Sequence, residues 1–165
     1  MPASRTIRDG IVVGLIAYAS VAVFYSAFDF LAARGTLYTV DLLGKAMFRG
    51  LRDPGVLQYP VSPDLTTIFW YNAFHLLTSL AIGLIVTSLI AYAERHPAQT
   101  KLILVTIVAG FVATIFAVSY LTSSIRPLLP WWSIVVANGL ATLLAGVYLL
   151  NTRPGLKSRL VSFAH

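Results

Sequence analysis

The sequence predicts an all-α integral membrane protein. The expected architecture is an up-down-up-down four-helix transmembrane bundle with a short amphipathic interfacial helix between the first and second spans. Three observations lead there. Hydrophobic residues make up 58% of the 165 and charged residues only 11%, whereas a soluble domain carries roughly 25% charged residues. Too few charges remain to cover a water-facing surface, and a mean hydropathy of +0.80 is equally foreign to a disordered chain. Four apolar stretches are each long enough to cross the hydrocarbon core, which takes roughly 20 helical residues. The length fits one domain, 1–165.

The first span is expected over about 11–33, interrupted only by Asp29 near its end. Arg5 and Arg8 precede it, and Ala17-Tyr18-Ala19 resembles a leader cleavage site. The apolar core before that site, Ile11 to Ile16, is only six residues, and a secretory core needs about 7–15, so the reading is an uncleaved helix. The second span covers about 65–93 and carries His75. The third, about 102–125, has no formal charge. The fourth covers about 131–150 and opens on Trp131 and Trp132, where an interfacial aromatic belt belongs. All four must be helical, because an unpaired backbone group in lipid costs several kcal/mol.

The connection 34–64 is the only long one, and long connections in compact domains are often structured or functional. Its middle reads as an interfacial helix. Thr39 is the expected N-cap before Val40. Asp41, Lys45, Arg49 and Arg52 share one face at spacings of four, four and three, with Val40, Leu43, Met47 and Leu51 on much of the opposite one. Such a helix is expected to lie in the interface plane, apolar side down, and its charged face is a candidate docking surface. Asp53-Pro54-Gly55 stops it, and Pro60 and Pro63 stiffen the approach to the second span. Glu94 to Pro97 and Arg126 to Pro130 form short turns, which imply antiparallel neighbours.

Twelve Lys and Arg against six Asp and Glu give a net charge of +6. No basic stripe or aromatic platform accompanies that charge, so no nucleic-acid partner is expected. One side of the expected topology carries Arg5, Arg8, Arg95, Lys101, Arg153, Lys157 and Arg159; the other carries Arg34, Lys45, Arg49, Arg52 and Arg126. The excess of basic residues marks the cytoplasmic side. Both termini are therefore expected in the cytoplasm, of a bacterial inner membrane given the short chain without a transit peptide.

Helices in lipid associate through small residues and polar pairs. The candidate packing stripes are Ala19, Ala22 and Ser26 on the first span, and His75, Ser79, Gly83 and Thr87 on the second. The third offers Ala109, Ala113 and Ala117 beside Thr106, Gly110 and Thr114. The fourth offers Ala137, Ala141 and Ala145 beside Asn138, Thr142 and Gly146.

Ionisable residues inside a membrane are expensive and mark functional candidates. Asp29 and His75 are the two that fall clearly within spans. At 1.5 Å per residue, Tyr25, Asp29, Tyr71, Asn72, His75, Ser119, Tyr120 and Asn138 fall in the outer half of the bundle, with Arg126 just above. One reading is structural: Asp29 pairs with Arg34 or Arg126, and His75 hydrogen-bonds Asn138 or a hydroxyl. The other is a pocket formed by Asp29, Tyr71, Asn72, His75, Asn138 and Arg126.

Chemistry is otherwise sparse. Cysteine is absent, which removes disulfides, thiol catalysis and Fe–S clusters. A bis-His haem site lacks its second membrane histidine, and one His with one Asp falls short of a catalytic zinc site. Phosphate-loop, dinucleotide and serine-hydrolase motifs are missing. No metal, cofactor or catalytic residue is expected. The expectation is a non-catalytic structural or accessory subunit that packs in the lipid bilayer with other membrane protein subunits or itself, in an energy-transducing complex for example. The alternative is a small binding or transport protein that uses the polar Asp/His pocket.

Overall fold

The computed structural model describes residues 3–51, 62–153 and 155. Among these the chain is helical, without strands: α1 Ala3–Leu31, α2 Tyr38–Phe48, α3 Leu65–Arg95, α4 Thr100–Leu121 and α5 Trp131–Thr152. Short 3-10 turns, Pro97–Gln99 and Ser123–Ile125, precede and follow α4. The four segments long and apolar enough to cross a membrane are α1, α3, α4 with its preceding turn, and α5. Asp53-Pro54-Gly55, Arg52 and Pro60 lie outside the described residues.

Two boundaries differ from expectation. α1 begins at Ala3 rather than near Ile11, so Arg5, Arg8 and Asp9 are helical. Hydrophobicity marks where a helix can enter lipid, but the backbone ladder continues beyond it. α4 ends at Leu121 rather than near Ile125. There the Thr122 hydroxyl donates back to Val118 O at 2.8 Å and the chain tightens into a 3-10 turn.

α1 is the centre of the packing: it touches α3 along most of its length, α5 along the other side, and α2 at its end. The α1–α3 seam is backbone-close. A Cβ added to Gly83 would sit 2.6 Å from Gly14 N, and one added to Gly14 would sit 2.6 Å from Leu80 Cα. Only glycine permits that approach, which brings the two backbones into direct van der Waals contact. On α3, Ser79, Gly83 and Thr87 are buried as expected. On α1, however, Ala19 is exposed, and Gly10, Val13 and Gly14 make the contact instead. The α5 seam runs through Ile134, Ala137, Ala141, Ala145 and Leu149, all buried.

α4 departs most from a closed bundle. Only 6% of its most apolar stretch is buried, against 17% to 33% for the other three. Ala109, Ala113, Ala117, Thr106 and Gly110 are all exposed. Ile107 and Val118 are the α4 side chains that pack on the two apolar clusters.

α2 is embedded more deeply than a plain interfacial helix. Tyr38, Leu42 and Ala46 pack on Ile125, Leu129 and Ile134, while Gly44 lies against the first turn of α3, where a Cβ would meet Thr67 O at 2.7 Å. The expected apolar face is therefore rotated: Met47 is exposed and Val40 and Leu43 are half-buried. α2 ends as Arg49 N and Leu51 N both donate to Lys45 O. Gly50 adopts φ +64°, the left-handed conformation that closes many helices.

Candidate functional site

A cavity of about 100 Å³ lies between α1, α2 and α3. α1 contributes Ala22, Tyr25, Ser26 and Asp29, a stripe with helical spacing. The following turn and α2 add Thr36, Thr39, Val40 and Leu43. α3 adds Tyr71, Asn72 and His75. Four of the six pocket residues expected from the sequence, Asp29, Tyr71, Asn72 and His75, thus line one cavity.

Asp29 is completely buried. Its Oδ2 accepts from Thr39 N at 2.6 Å, its Oδ1 accepts from the Thr39 hydroxyl at 2.7 Å, and Arg34 Nη2 lies 3.4 Å away. The α2 N-terminus is therefore capped by a carboxylate from α1. The Thr39 side chain, expected to be the cap, is instead a donor to it, and helix geometry begins at Tyr38. A carboxylate there satisfies otherwise orphaned N–H groups and complements the helix dipole. Arg34 is held in turn. Its Nη1 donates to Leu128 O at 3.2 Å, and its guanidinium lies over the rings of Phe28 and Tyr38 at 5.0 and 4.6 Å.

His75 rests between two tyrosine rings, Tyr18 at 5.2 Å and Tyr71 at 6.0 Å. Tyr18 OH donates to Asn72 Oδ1 at 3.0 Å, and Asn72 Nδ2 donates to Ile68 O. His75 makes no hydrogen bond among the described residues, and its contacts are aromatic rather than with Asp29. Asn138 and Arg126 do not line the cavity. Asn138 Nδ2 donates to Ile134 O within α5, and exposed Arg126 reaches Ser119 O at 3.5 Å. Of the two partners considered for Asp29, Arg34 is the one in place.

The charged face of α2 turns toward the start of α3. Asp41 Oδ1 accepts from Asp64 N at 2.8 Å, and Lys45 Nζ donates to Asp41 Oδ2 at 2.6 Å and to Ser62 O at 2.8 Å. Arg49 Nε donates to Asp64 Oδ2 at 3.1 Å, and Asp64 Oδ1 caps α3 through Thr66 N and Thr67 N. The Thr67 amide first, then Arg49 and the Thr66 amide, hold the Asp64 carboxyl below its usual range despite some desolvation. Asp41 and Lys45 are thus engaged within the chain, and Arg49 keeps an exposed side chain.

Sequence reasoning missed a second buried ionic cluster at the opposite end of α1. Arg153, just past α5, and Asp9 of α1 are both fully buried. Arg153 Nε donates to Asp9 Oδ2 at 3.1 Å, and its Nη1 donates to Glu94 Oε2 of α3 at 3.1 Å. Tyr148 OH donates to Asp9 Oδ1 at 3.4 Å, and Arg5 donates to Thr152 O. The available signal was an acid beside the apolar run in a chain with only six acidic residues. Tyr18 was also missed, although Tyr18, Ala22, Tyr25 and Asp29 fall on one helical stripe.

Among the described residues no group of three or more His, Asp or Glu is placed to hold a metal ion. The cavity presents hydroxyls, one imidazole and aromatic faces, a set suited to hydrogen-bonding a small solute. Set against protein-family models, curated proteins and solved structures, the chain matches none.

Proposed function

We propose that the chain is a four-span integral membrane protein of the up-down-up-down class. Its role in this reading is structural or accessory: it packs laterally with other membrane protein subunits or with a second copy, in an energy-transducing complex for example. The observation that carries this reading is bare α4, whose small residues Ala109, Gly110, Ala113 and Ala117 are available for a further helix to approach. Aromatic placement supports the membrane setting. Trp70, Trp131 and Trp132 are exposed at the α2 end, where ring-rich belts meet headgroups. Basic Arg5, Arg8, Arg95 and Lys101 at the opposite end support cytoplasmic termini in a bacterial inner membrane.

Gentle extraction followed by mass measurement tests the association. The expected result is a particle heavier than one chain plus its detergent, through a second copy or a co-purifying membrane subunit. Ala113→Leu together with Gly110→Leu is expected to reduce it to a single chain. A wild-type protein that is monomeric and alone would overturn the reading. Reporter fusions at both termini test the orientation, and an external reporter at either end would refute it.

The cavity supports a second reading, a small binding or transport protein. His75→Ala and Asp29→Asn, singly and together, are then expected to abolish solute or proton flux in liposomes while the bundle stays folded. In the accessory reading the same changes alter assembly or thermal stability and leave flux unchanged.

A further inference from the structure

The cavity between α1, α2 and α3 is bordered by polar groups that the protein leaves unused. Tyr71 OH, both His75 ring nitrogens and the hydroxyls of Ser26 and Thr36 have no hydrogen-bond partner among the described residues. A helical hydroxyl can return to the carbonyl one turn back; those of Ser26, Ser79, Ser88 and Thr142 do not among the described residues. Ser20, Thr87 and Thr114 do so here.

The one carboxylate that lines this cavity, by contrast, is engaged. Asp29 has both oxygens engaged by Thr39 and lies beside Arg34, which is itself held by Leu128 O and two rings. A cation entering the cavity finds no free carboxylate, and no guanidinium lines the cavity to meet an anion. Either would give up part of its hydration in a largely apolar pocket without a free opposite charge in the lining, a cost that ordinary hydrogen bonds do not fully offset. An uncharged solute loses far less. Size narrows the class further. The space of about 100 Å³ is smaller than the cavity of about 150 Å³ that holds benzene, and seats a group of roughly four or five heavy atoms.

We infer that this cavity binds a small uncharged solute that both donates and accepts hydrogen bonds, of the short amide or diol class, seated against Tyr71, His75 and Ser26. The inference rests on the binding reading of the pocket and adds the charge and size of its occupant.

Three isosteric probes test it: acetamide, acetate and acetamidinium. Saturation transfer from the full chain in deuterated detergent to each probe's methyl group reports binding. Acetamide is expected to show transfer, and the charged pair none beyond the protein-free control. Ala22→Leu fills the cavity and is expected to abolish the acetamide signal, while circular dichroism and thermal unfolding show that the helices persist. Tyr71→Phe, which keeps the ring, is expected to weaken the signal. Acetamide transfer that Ala22→Leu leaves unchanged places the probe elsewhere and overturns the inference. Acetate or acetamidinium transfer abolished by Ala22→Leu keeps the pocket but refutes an uncharged occupant. Wild-type protein that binds none of the three removes the pocket reading itself.

Discussion

Arg153 Nε donates to Asp9 Oδ2 at 3.1 Å across 144 positions of sequence, with both side chains wholly buried. With Glu94 on the other branch of the guanidinium, this contact joins the far ends of α1, α3 and α5. A buried ion pair contributes little net stability over well-packed apolar side chains, but removing one partner strands the other charge. Arg153→Ala is therefore expected to cost about 3–5 kcal/mol, read from denaturant unfolding in micelles. Asp9→Leu combined with Arg153→Leu is expected to recover much of that loss. A single Arg153→Ala change without measurable effect would show that the cluster is solvated in the working protein.

Asp29 is expected to behave as a structural cap. Asp29→Ala removes both acceptors of Thr39 and leaves Arg34 without its carboxylate, for an expected loss of about 2–4 kcal/mol. Thr39→Val keeps the amide donor and loses the hydroxyl, at about 1 kcal/mol. Amide exchange in α2 should rise in that order. Exposed Arg126→Ala should leave α2 protection unchanged.

The glycine seam gives a steric prediction. Gly83→Leu forces side-chain volume into the backbone of Gly10 and Gly14, and overpacking of that kind costs about 1–3 kcal/mol or more. Gly139→Ala meets nothing within 4 Å and should change stability by less than about 1 kcal/mol. Paired thermal melts of the two variants separate close approach from mere helix propensity.

Acidification should loosen the start of α3 first. The Asp64 carboxyl is held below its usual range, foremost by the Thr67 amide and then by Arg49. A depressed folded-state value means that the cap's contribution is fully present above the unfolded value and is lost as pH falls through the folded one. Protection factors at Thr66 and Thr67 should therefore be steady near neutrality and fall at strongly acid pH. Asp64→Asn keeps a capping oxygen without the titration and should flatten that profile.

The four long apolar helices were legible because their signal is bulk hydrophobicity, which a single sequence displays directly. Asp29, Tyr71, Asn72 and His75 were grouped by depth along their helices, and the cavity brings those four together. Depth alone does not set azimuth, and that is why Asn138 turns back to its own helix at Ile134 and Arg126 stays at the surface. The contact stripe on α1 was misplaced because alanine spacing outweighed Gly10 and Gly14, whose value depends on a partner glycine at position 83. Asp9 escaped notice for a related reason: its partners lie in other helices, and hydropathy draws the boundary of α1 just beyond it. Burial of α2 depended on the loop around Ile125 and Leu129, a long-range relation that amphipathic spacing does not encode.

The clasp around Asp9 also orders the life of a nascent chain. The carboxylate is synthesised 144 residues before the guanidinium that neutralises it, which lies just past α5. The carboxylate's other ion-pair neighbour is exposed Arg8, the adjacent residue. A chain that stops before residue 153 lacks the guanidinium and cannot close the clasp. Proteolytic susceptibility of ribosome-stalled chains should drop sharply once that arginine is released.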